Sequence, residues 1–329
     1  MIISQTPLRI SLCGGGTDFA NYYSKNEGFV VSAAIDKYIY VIVKERFDEL
    51  IYVDYSEKEI IKSIKDIKHE LVREAALKTG MVPGFEVSML ADIPSEGSGL
   101  GSSSSLTVGL LNAFYQFQGT QVTAEQLARE ACEIEIDILK KPIGKQDQYI
   151  AAYGGLTSFK FKKDSSVEVE KIKLSRELKR KLGSNLLLFF TNITRKSSSI
   201  LTEQNSKIID SMDYYDSIKE LAFEAKRSLL AEDIDVIGEL LKKNWEIKKS
   251  LTTNITNDII NEMYSKAIEG GADGGKIAGA GGGGFLLIYC KRNNQDNLRE
   301  YLKDFREMPF LLEPYGSKII FDYRRYTWK

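Results

Sequence analysis

Pro94-Ser-Glu-Gly-Ser-Gly-Leu-Gly-Ser-Ser-Ser-Ser-Leu106 is the stretch around which the rest of the chain is organised. Its composition alone is also that of a flexible linker. The alternating segment before it, Phe85–Ile93, predicts a strand, and the apolar segment after it, Leu106–Gln118, predicts a helix. A glycine loop that leads into a helix presents unpaired backbone N–H groups and the positive end of the helix dipole. This arrangement suits an anion.

The residues of this loop are suited to contact with phosphate oxygens. Gly97, Gly99 and Gly101 carry no side chain, so backbone amides can approach an anion and positive φ values are free of steric cost. The hydroxyl groups of Ser102–Ser105 can cap the helix, contact phosphate or ligate a metal ion. We therefore expect phosphate binding at the start of the helix, with a purely structural turn as the alternative.

The composition is that of an ordinary globular protein. The chain has 329 residues, of which 28% are charged, and its formal net charge is −1. With so small a net charge, the chain has no overall electrostatic field that favours binding to nucleic acid or to an anionic membrane. It contains no apolar run near the ~18 residues of a membrane-spanning helix, and no signal peptide is predicted. Cys13, Cys132 and Cys290 are scattered in apolar surroundings, which predicts reduced thiols in a cytoplasmic protein.

His69 is the single histidine of the chain and lies in a charged stretch, where a surface position is expected. Catalysis by Ser–His–Asp or Cys–His groups and metal sites rich in histidine are therefore not expected. Any proton transfer is therefore expected to use a carboxylate, a lysine or a tyrosine. A bound metal would be a hard cation held by oxygen atoms.

The first segments predict a strand, a glycine turn and a helix. Met1–Leu12 alternates as a strand and carries Arg9, whose guanidinium group requires a partner. Gly14–Asp18 follows, and its three glycines permit close approach of the backbone. Asp18 either presents a carboxylate to a ligand or caps the helix Phe19–Ser24, and both interpretations stay open.

More strands and a long helix are predicted before the glycine loop. Gly28–Ile35 and Tyr38–Arg46 are rich in strand-forming residues and are expected as two separate strands. Glu57–Lys78 is expected as one amphipathic helix, with Ile60 on its buried face.

Acidic side chains follow the loop helix. Thr123–Leu139 predicts a second helix, with Ile138 on its buried face. Glu130 and Glu135 border that face, so either could reach a cleft, and a solvated acidic face is the alternative. Asp147 begins the next short helix among apolar neighbours, which suggests partial burial.

The segments after Phe190 are mostly predicted as helices, which suggests a second, helix-rich half of the chain. Gly279–Gly284 is a third glycine-rich stretch and formally matches G-x-G-x-x-G. A dinucleotide fingerprint requires a helix after it, whereas Phe285–Cys290 predicts a strand, so a Rossmann site is excluded.

Three glycine loops, carboxylates at helix edges and the lack of a catalytic histidine favour phosphoryl transfer with Mg²⁺. The chain resembles the GHMP small-molecule kinases over nearly its whole length. Pro7–Asp18, Pro94–Ser105 and Lys276–Gly284 are similar to the three motifs of that family, in the same order. The Gly-Gly-Gly-Thr-Asp and Gly-Lys-Gln-Asp-Gln segments resemble the D-glycero-D-manno-heptose 7-phosphate kinase branch.

This resemblance implies a two-lobed α+β fold with the active site in the cleft between the lobes. The expected lobes are residues 1–190 and residues 191–329. The third glycine loop would shape the site rather than bind phosphate itself. The resemblance places the triphosphate of ATP, the expected co-substrate, on Gly97, Ser98, Gly99, Leu100, Gly101, Ser102, Ser103 and Ser104.

The resemblance also assigns the catalytic roles. Asp147 corresponds to the catalytic aspartate that faces the acceptor hydroxyl, and Arg9 to an arginine that orients Asp147 or steadies the γ-phosphate. Glu135 corresponds to the Mg²⁺-binding glutamate, joined by Ser102 or Ser103.

The acceptor is expected to contact the first glycine turn. Its sugar hydroxyls would be held by Gly15, Gly16, Thr17 and Asp18. Outside the motifs, Arg195 and Lys196 follow a predicted strand, and we expect them to clamp a phosphate already on the sugar, with ordinary solvated charges as the alternative.

The resulting hypothesis is an ATP- and Mg²⁺-dependent kinase acting on the anomeric hydroxyl of D-glycero-D-manno-heptose 7-phosphate, which gives the 1,7-bisphosphate. The alternatives are a kinase of a free sugar of the fucose or hexose type and a non-catalytic ATP and sugar sensor on the same fold. A cytoplasmic protein with a small-molecule partner, without nucleic acid or membrane, is expected, and a homodimer is left open.

Overall fold

The computed structural model describes residues 1–94, 97–194 and 197–323. Its strands are β1 (Ile2–Cys13), β2 (Gly28–Glu45), β3 (Ile51–Asp54), β4 (Lys58–Ile61), β5 (Phe85–Ala91), β6 (Leu156–Phe161), β7 (Val167–Lys171), β8 (Leu186–Phe190), β9 (Gly274–Ile277), β10 (Phe285–Tyr289) and β11 (Lys318–Asp322). Its α-helices are α1 (Ala20–Asn26), α2 (Glu70–Thr79), α3 (Ser102–Phe117), α4 (Ala124–Cys132), α5 (Gln146–Tyr153), α6 (Arg176–Asn185), α7 (Ser197–Lys207), α8 (Met212–Leu230), α9 (Val236–Lys249), α10 (Asp258–Glu269) and α11 (Gln295–Tyr301).

The strands of the described residues form two sheets. The larger sheet has the order β11-β1-β2-β5-β3-β4, and β6 pairs with both β2 and β7. All its neighbours are antiparallel except β3 and β5. The smaller sheet has the order β8-β10-β9 and is antiparallel throughout. The mixed α+β fold predicted from the sequence is confirmed.

The central strand β1 is buried along most of its length, from Pro7 to Cys13. Helices α3 and α5 from the first half of the chain and helices α8 and α9 from the second half pack against it. Because covered strands bury side chains in both directions, Arg9 can reach the interior from this strand. β1 therefore carries Arg9 to the boundary between the two halves.

The strand β2 was expected as two strands, and it is one strand of 18 residues. Pro7 pairs with Tyr38, whereas the next residue, Leu8, pairs with Ile35. The two residues between them, Asp36 and Lys37, therefore form a bulge. The bulge changes the pairing register without ending the strand.

The prediction of one helix over Glu57–Lys78 is wrong for the first half of that range. That half contains the short strand β4, and Ile60 is exposed rather than buried. The carboxylate of Glu59 reaches from β4 to the start of α2, where it accepts hydrogen bonds from the backbone N–H groups of Lys68 and His69 at 2.7 and 3.0 Å. His69 is the N-cap residue of α2 and is only partly exposed. This long-range cap sets the helix start at Glu70, which local periodicity does not show.

One apolar cluster joins the two halves of the chain. It contains residues of the larger sheet and of α3 together with residues of α8, α9 and β10. The division into residues 1–190 and 191–329 stays a prediction. Sheet pairing crosses it, because β8 pairs with β10 and β11 returns to pair with β1.

None of the helices in the described residues is long and apolar enough to cross a lipid bilayer.

Candidate active site

A cavity of about 640 Å³ lies where the two halves of the chain meet. The loop that precedes α3, the first glycine turn and the third glycine loop all contribute to its wall. Arg9 and Asp147 also line this cavity. The sequence motifs, which are up to about 270 residues apart, are thus brought to one site.

Arg9 and Asp147 form a bidentate ion pair at the cavity wall. Arg9 Nε donates to Asp147 Oδ1 at 2.8 Å, and Arg9 Nη2 donates to Asp147 Oδ2 at 2.7 Å. Arg9 Nη1 donates to the carbonyl oxygen of Gly99 in the glycine loop. The Arg9 side chain is 5% exposed and that of Asp147 is 23% exposed, so the carboxylate retains access to the cavity. A paired and hydrogen-bonded guanidinium fixes the orientation of this carboxylate.

The glycine loop turns through three left-handed residues before α3 begins. Gly97, Gly99 and Gly101 have φ values of 73°, 74° and 81°. Gly101 is the N-cap of α3 and supplies no side-chain cap, so the N-terminus of α3 can offer its backbone N–H groups to an anion.

The other loop residues fall into two groups. Ser98, Ser102, Ser103 and Ser104 line the cavity, and the Ser98 and Ser102 hydroxyls are hydrogen-bonded at 3.1 Å. Leu100 does not line it, because its side chain is fully buried in the apolar cluster.

Glu135 lies beside the glycine loop and is fully buried. Its Oε1 accepts a hydrogen bond from Ser103 Oγ at 2.5 Å, and its Oε2 accepts one from Gln148 Nε2 at 2.7 Å. No ion pair to this carboxylate occurs within the described residues. Burial raises the pKa of Glu135, and the hydrogen bond from Ser103 opposes that rise. The structure therefore brings Ser103 to Glu135 and turns the Ser102 hydroxyl toward Ser98.

The helix expected over Thr123–Leu139 changes form before Glu135. Helix α4 ends at Cys132, and Glu133–Ile138 is a π-helical turn. The wider turn shifts the side-chain pattern, so Ile138 is 46% exposed although the α-helical period predicted burial. Single π-helical turns inside helices are frequent at functional sites. Of the two glutamates left open by the pattern, Glu130 bonds Tyr115 instead, at 2.8 Å.

The first glycine turn contributes unequally to the cavity. Gly15, Gly16 and Asp18 line it, whereas Thr17 is fully buried and bonds the carbonyl oxygens of Gly14 and Phe29. The structure therefore does not bring Thr17 to the other site residues.

Asp18 connects the glycine turn to the segment that carries Asp147. Its Oδ2 accepts from the backbone N–H of Gln146 at 3.0 Å, and its Oδ1 accepts from that of Gly16 at 2.9 Å. Of the two interpretations left open for Asp18, capping of the following helix is not observed, because α1 has Phe19 as N-cap and no side-chain cap. Burial raises the pKa of Asp18, and the hydrogen bonds from the Gln146 and Gly16 backbone lower it. Asp18 thus holds the start of α5, where Asp147 is the second residue.

Two residues predicted to bind substrate cannot be located, and three residues that line the cavity were not predicted. Arg195 and Lys196 lie outside the described residues. Sequence reasoning missed Ser11, Lys248 and Lys276, which all line the cavity. Lys276 opens the third glycine motif and was therefore visible as a candidate, whereas Lys248 lies in a lysine-rich helix end without any distinguishing pattern.

Two family descriptions match this chain. GHMP kinases N terminal domain matches residues 59–155, and GHMP kinases C terminal matches residues 225–307. The first range contains the glycine loop, Glu135 and Asp147, and the second contains the third glycine loop.

Individual relatives extend over most of the chain. The D-glycero-alpha-D-manno-heptose 7-phosphate kinase of Campylobacter jejuni is 33% identical over 92% of this chain and 93% of its own. A galactokinase of Pyrococcus furiosus is 25% identical over 92% of this chain and 94% of its own. The crystal structure of a D-glycero-D-manno-heptose 1-phosphate kinase from Bacteroides thetaiotaomicron superposes with a TM-score of 0.82 at 26% identity, covering 98% of this chain and 100% of that one.

Proposed function

This chain belongs to the GHMP kinase family, and we propose that it transfers the γ-phosphoryl group of ATP to the anomeric hydroxyl of D-glycero-D-manno-heptose 7-phosphate. The observation that carries this proposal is the Arg9–Asp147 pair beside the N-terminus of α3. It offers a carboxylate for the acceptor next to an anion site for the donor. The similarity to the Campylobacter jejuni kinase supports the choice of acceptor.

In the proposed reaction, the glycine loop and the first turn of α3 hold the phosphates of ATP through backbone N–H groups and serine hydroxyls. Asp147 accepts the proton of the acceptor hydroxyl as its oxygen attacks the γ-phosphorus. The new O–P bond forms while the bond from the γ-phosphorus to the bridging oxygen breaks, and ADP leaves. Arg9 keeps Asp147 in place and lies next to the charge of the transferred group.

Magnesium fits the residues present beside the glycine loop. Glu135 is a buried carboxylate that forms no ion pair in the described residues, although burial raises its pKa and the charge of Lys141 lowers it, and the Ser103 hydroxyl lies at 2.5 Å from it. Groups of three or more His, Cys, Asp or Glu side chains suited to a metal are absent from those residues. Mg²⁺ is often held by one or two protein oxygens together with substrate phosphates. Glu135 and Ser103 would hold it here, and when bound it supplies positive charge to the phosphate oxygens.

The test is a panel of sugars and sugar phosphates, with ADP release as the rate and ³¹P NMR to locate the new phosphate. We expect the heptose 7-phosphate to give the highest kcat/KM and the 1,7-bisphosphate as product. Asp147→Asn should lower kcat by about 10²–10⁴-fold, which is the usual contribution of a general base. Asp210→Asn, at an exposed site away from the cavity, is the matched control.

Three outcomes would contradict the proposal. Higher kcat/KM for a free hexose or fucose would instead identify a free-sugar kinase. Binding of ATP and sugar without any phosphorylated product would identify a sensor. A kcat that Asp147→Asn leaves unchanged would remove the assigned role of that residue.

A further inference from the structure

Two lysines and a serine that the proposed reaction does not use also line the cavity. Lys248 is near the end of α9, Lys276 is in β9, and Ser11 is in β1. The lysines come from the second half of the chain, whereas the glycine loop and the start of α3 come from the first. Lys248 lies close to the glycine loop, because it donates to the carbonyl oxygen of Gly279, whose backbone contacts Gly99.

The two lysines retain unused hydrogen-bond donors. Lys276 Nζ donates to Asn244 Oδ1 at 3.1 Å, and its side chain is almost completely buried. Lys248 Nζ donates to the carbonyl oxygen of Gly279 and is partly buried. An ammonium group has three donors, so each lysine has capacity for further partners. Within the described residues, no carboxylate forms an ion pair with either of them.

The charges around these lysines are of the same sign. Burial lowers the pKa of Lys276 to about 8, with Arg9 acting in the same direction. Burial also lowers the pKa of Lys248 well below its ordinary value, and the charges of Lys276 and Arg9 add to this effect. Arg9 is the only one of the three cations with a carboxylate partner in the described part of the chain. Positive charge in an enclosed space is stabilised when an anion binds there.

Ser11 supplies an independent sign of a ligand. Its side chain is 6% exposed, and its Oγ has no hydrogen-bond partner among the described residues. It lies two residues after Arg9, on the same side of β1, and lines the cavity. Buried hydroxyl groups are nearly always hydrogen-bonded to protein, water or ligand, so this one has a donor free for a group bound in the cavity.

We propose that Lys248, Lys276 and Ser11 form the subsite for the phosphate group that the acceptor already carries. The donor phosphates have their own site at α3, and Arg9 is held by Asp147 and Gly99. A free sugar would leave two enclosed cations without a counterion, whereas a sugar phosphate provides one. The subsite thus explains a preference for sugar phosphates, and it rests on the proposed function.

The test measures binding of D-glycero-D-manno-heptose 7-phosphate, of the free heptose and of ATP by titration calorimetry, each without the other substrate. In Lys248→Met and Lys276→Met, we expect Kd for the heptose 7-phosphate to rise at least 10-fold. Kd for the free heptose and for ATP should change less than 2-fold. Lys243→Met, on the exposed side of α9, is the matched control and should bind all three like the wild type.

Folding of the variants is checked by thermal unfolding. Methionine keeps the length of the side chain and removes the enclosed charge, while the hydrogen bond to Asn244 or to Gly279 is lost. These effects oppose each other, so the ligand-free Tm should stay close to that of the wild type. Ser11→Ala gives a second, milder test, since no protein hydrogen bond of its hydroxyl is lost. We expect it to weaken heptose 7-phosphate binding several-fold with ATP binding unchanged.

The contrary outcomes separate this subsite from the proposed function. Weaker ATP binding with unchanged heptose 7-phosphate binding would assign the lysines to the donor. Unchanged binding of both in all three variants would overturn the subsite while wild-type turnover kept the proposed function. A wild type that neither binds nor phosphorylates the heptose 7-phosphate would overturn both.

Discussion

Glu135, which we propose as a Mg²⁺ ligand, is a buried carboxylate bonded by neutral donors. Two neutral donors, Ser103 and Gln148, bond its two oxygens, and burial raises its pKa. Neutral hydrogen bonds compensate a buried negative charge only in part. The carboxylate therefore has free energy to gain from a divalent cation.

Glu135→Gln tests this assignment. It keeps the size of the side chain but removes the charge, so the Mg²⁺ concentration for half-maximal activity should rise at least 10-fold. Because the folded-state pKa is raised, the wild-type carboxylate takes up a proton at a higher pH than an exposed glutamate does. Its apparent Mg²⁺ affinity should fall as the pH decreases through that range, while the variant lacks this dependence. Mg²⁺ titrations of the initial rate at several pH values measure both.

Glu133→Gln is the matched control for that experiment. Glu133 lies in the same π-helical turn but bonds Lys78 at 2.7 Å outside the cavity. Its Mg²⁺ requirement should equal that of the wild type. An equal requirement in Glu135→Gln would contradict the metal assignment.

The contact between two glycine loops is decisive for the site at the level of elements. A Cβ atom at Gly99 would lie 2.4 Å from the carbonyl oxygen of Ala278, and one at Gly279 would lie 2.7 Å from the Gly99 Cα. The phosphate loop and the third glycine loop thus touch through their backbones. This supports the expectation that the third loop shapes the site rather than binding phosphate.

Gly99→Ala should disturb both stability and donor binding. Gly99 and Gly80 have nearly the same φ, 74° and 71°, but a Cβ at Gly80 meets nothing within 4 Å. Both alanines carry the strain of a left-handed residue, about 1–2 kcal/mol. Gly99→Ala adds overpacking, so its free energy of unfolding should fall by about 1–3 kcal/mol more than that of Gly80→Ala. Urea unfolding measures the difference, and ATP titration should show weaker binding for Gly99→Ala alone. Equal losses in the two variants would mean that the loops do not touch as described.

The two halves of the whole molecule share an apolar interior as well as a cavity. Phe29 of β2 stacks on Phe223 of α8, with ring centroids 4.1 Å apart and an interplanar angle of 15°. Asp216 of α8 accepts a hydrogen bond from Tyr22 of α1 at 2.5 Å. These contacts fix the walls of the site relative to each other. Self-association as a homodimer and a cytoplasmic location stay predictions.

Phe223→Ala tests the coupling of the halves. Because Phe223 is only partly buried, we expect the free energy of unfolding to fall by about 2 kcal/mol, below the 3–5 kcal/mol of a fully buried phenylalanine. Tyr214→Ala, an exposed aromatic on the same helix, should change it by less than about 0.5 kcal/mol. Urea unfolding followed by circular dichroism distinguishes the two. A Phe223→Ala loss equal to that of the control would show that the stack does not join the halves.

Much of the fold and the family follows from local pattern. The strand, glycine loop and helix at Pro94–Leu106 can be read because each depends on neighbouring residues. The family motifs likewise point to Arg9, Glu135 and Asp147; the structure brings Arg9 and Asp147 to the cavity wall, and it buries Glu135 behind Ser103, which lines the cavity. Local pattern failed at Ile60 and Ile138, where a capping carboxylate and a π-helical turn override the apolar period.

The sequence by itself determined the mixed α+β class and the membership of a kinase family, and it predicted the glycine loop as an anion site, because each is encoded in residues close together in the chain. Only the tertiary structure decided that Asp18 bonds the first residue of α5, that Ser103 bonds Glu135, and that Lys248 and Lys276 line the cavity. The bonded residues Asp18 and Gln146 are 128 apart in the chain, and the pairs Ser103–Glu135 and Asn244–Lys276 are each 32 apart. These contacts depend on how the helices and sheets pack against each other, and local sequence propensities contain no information about that packing.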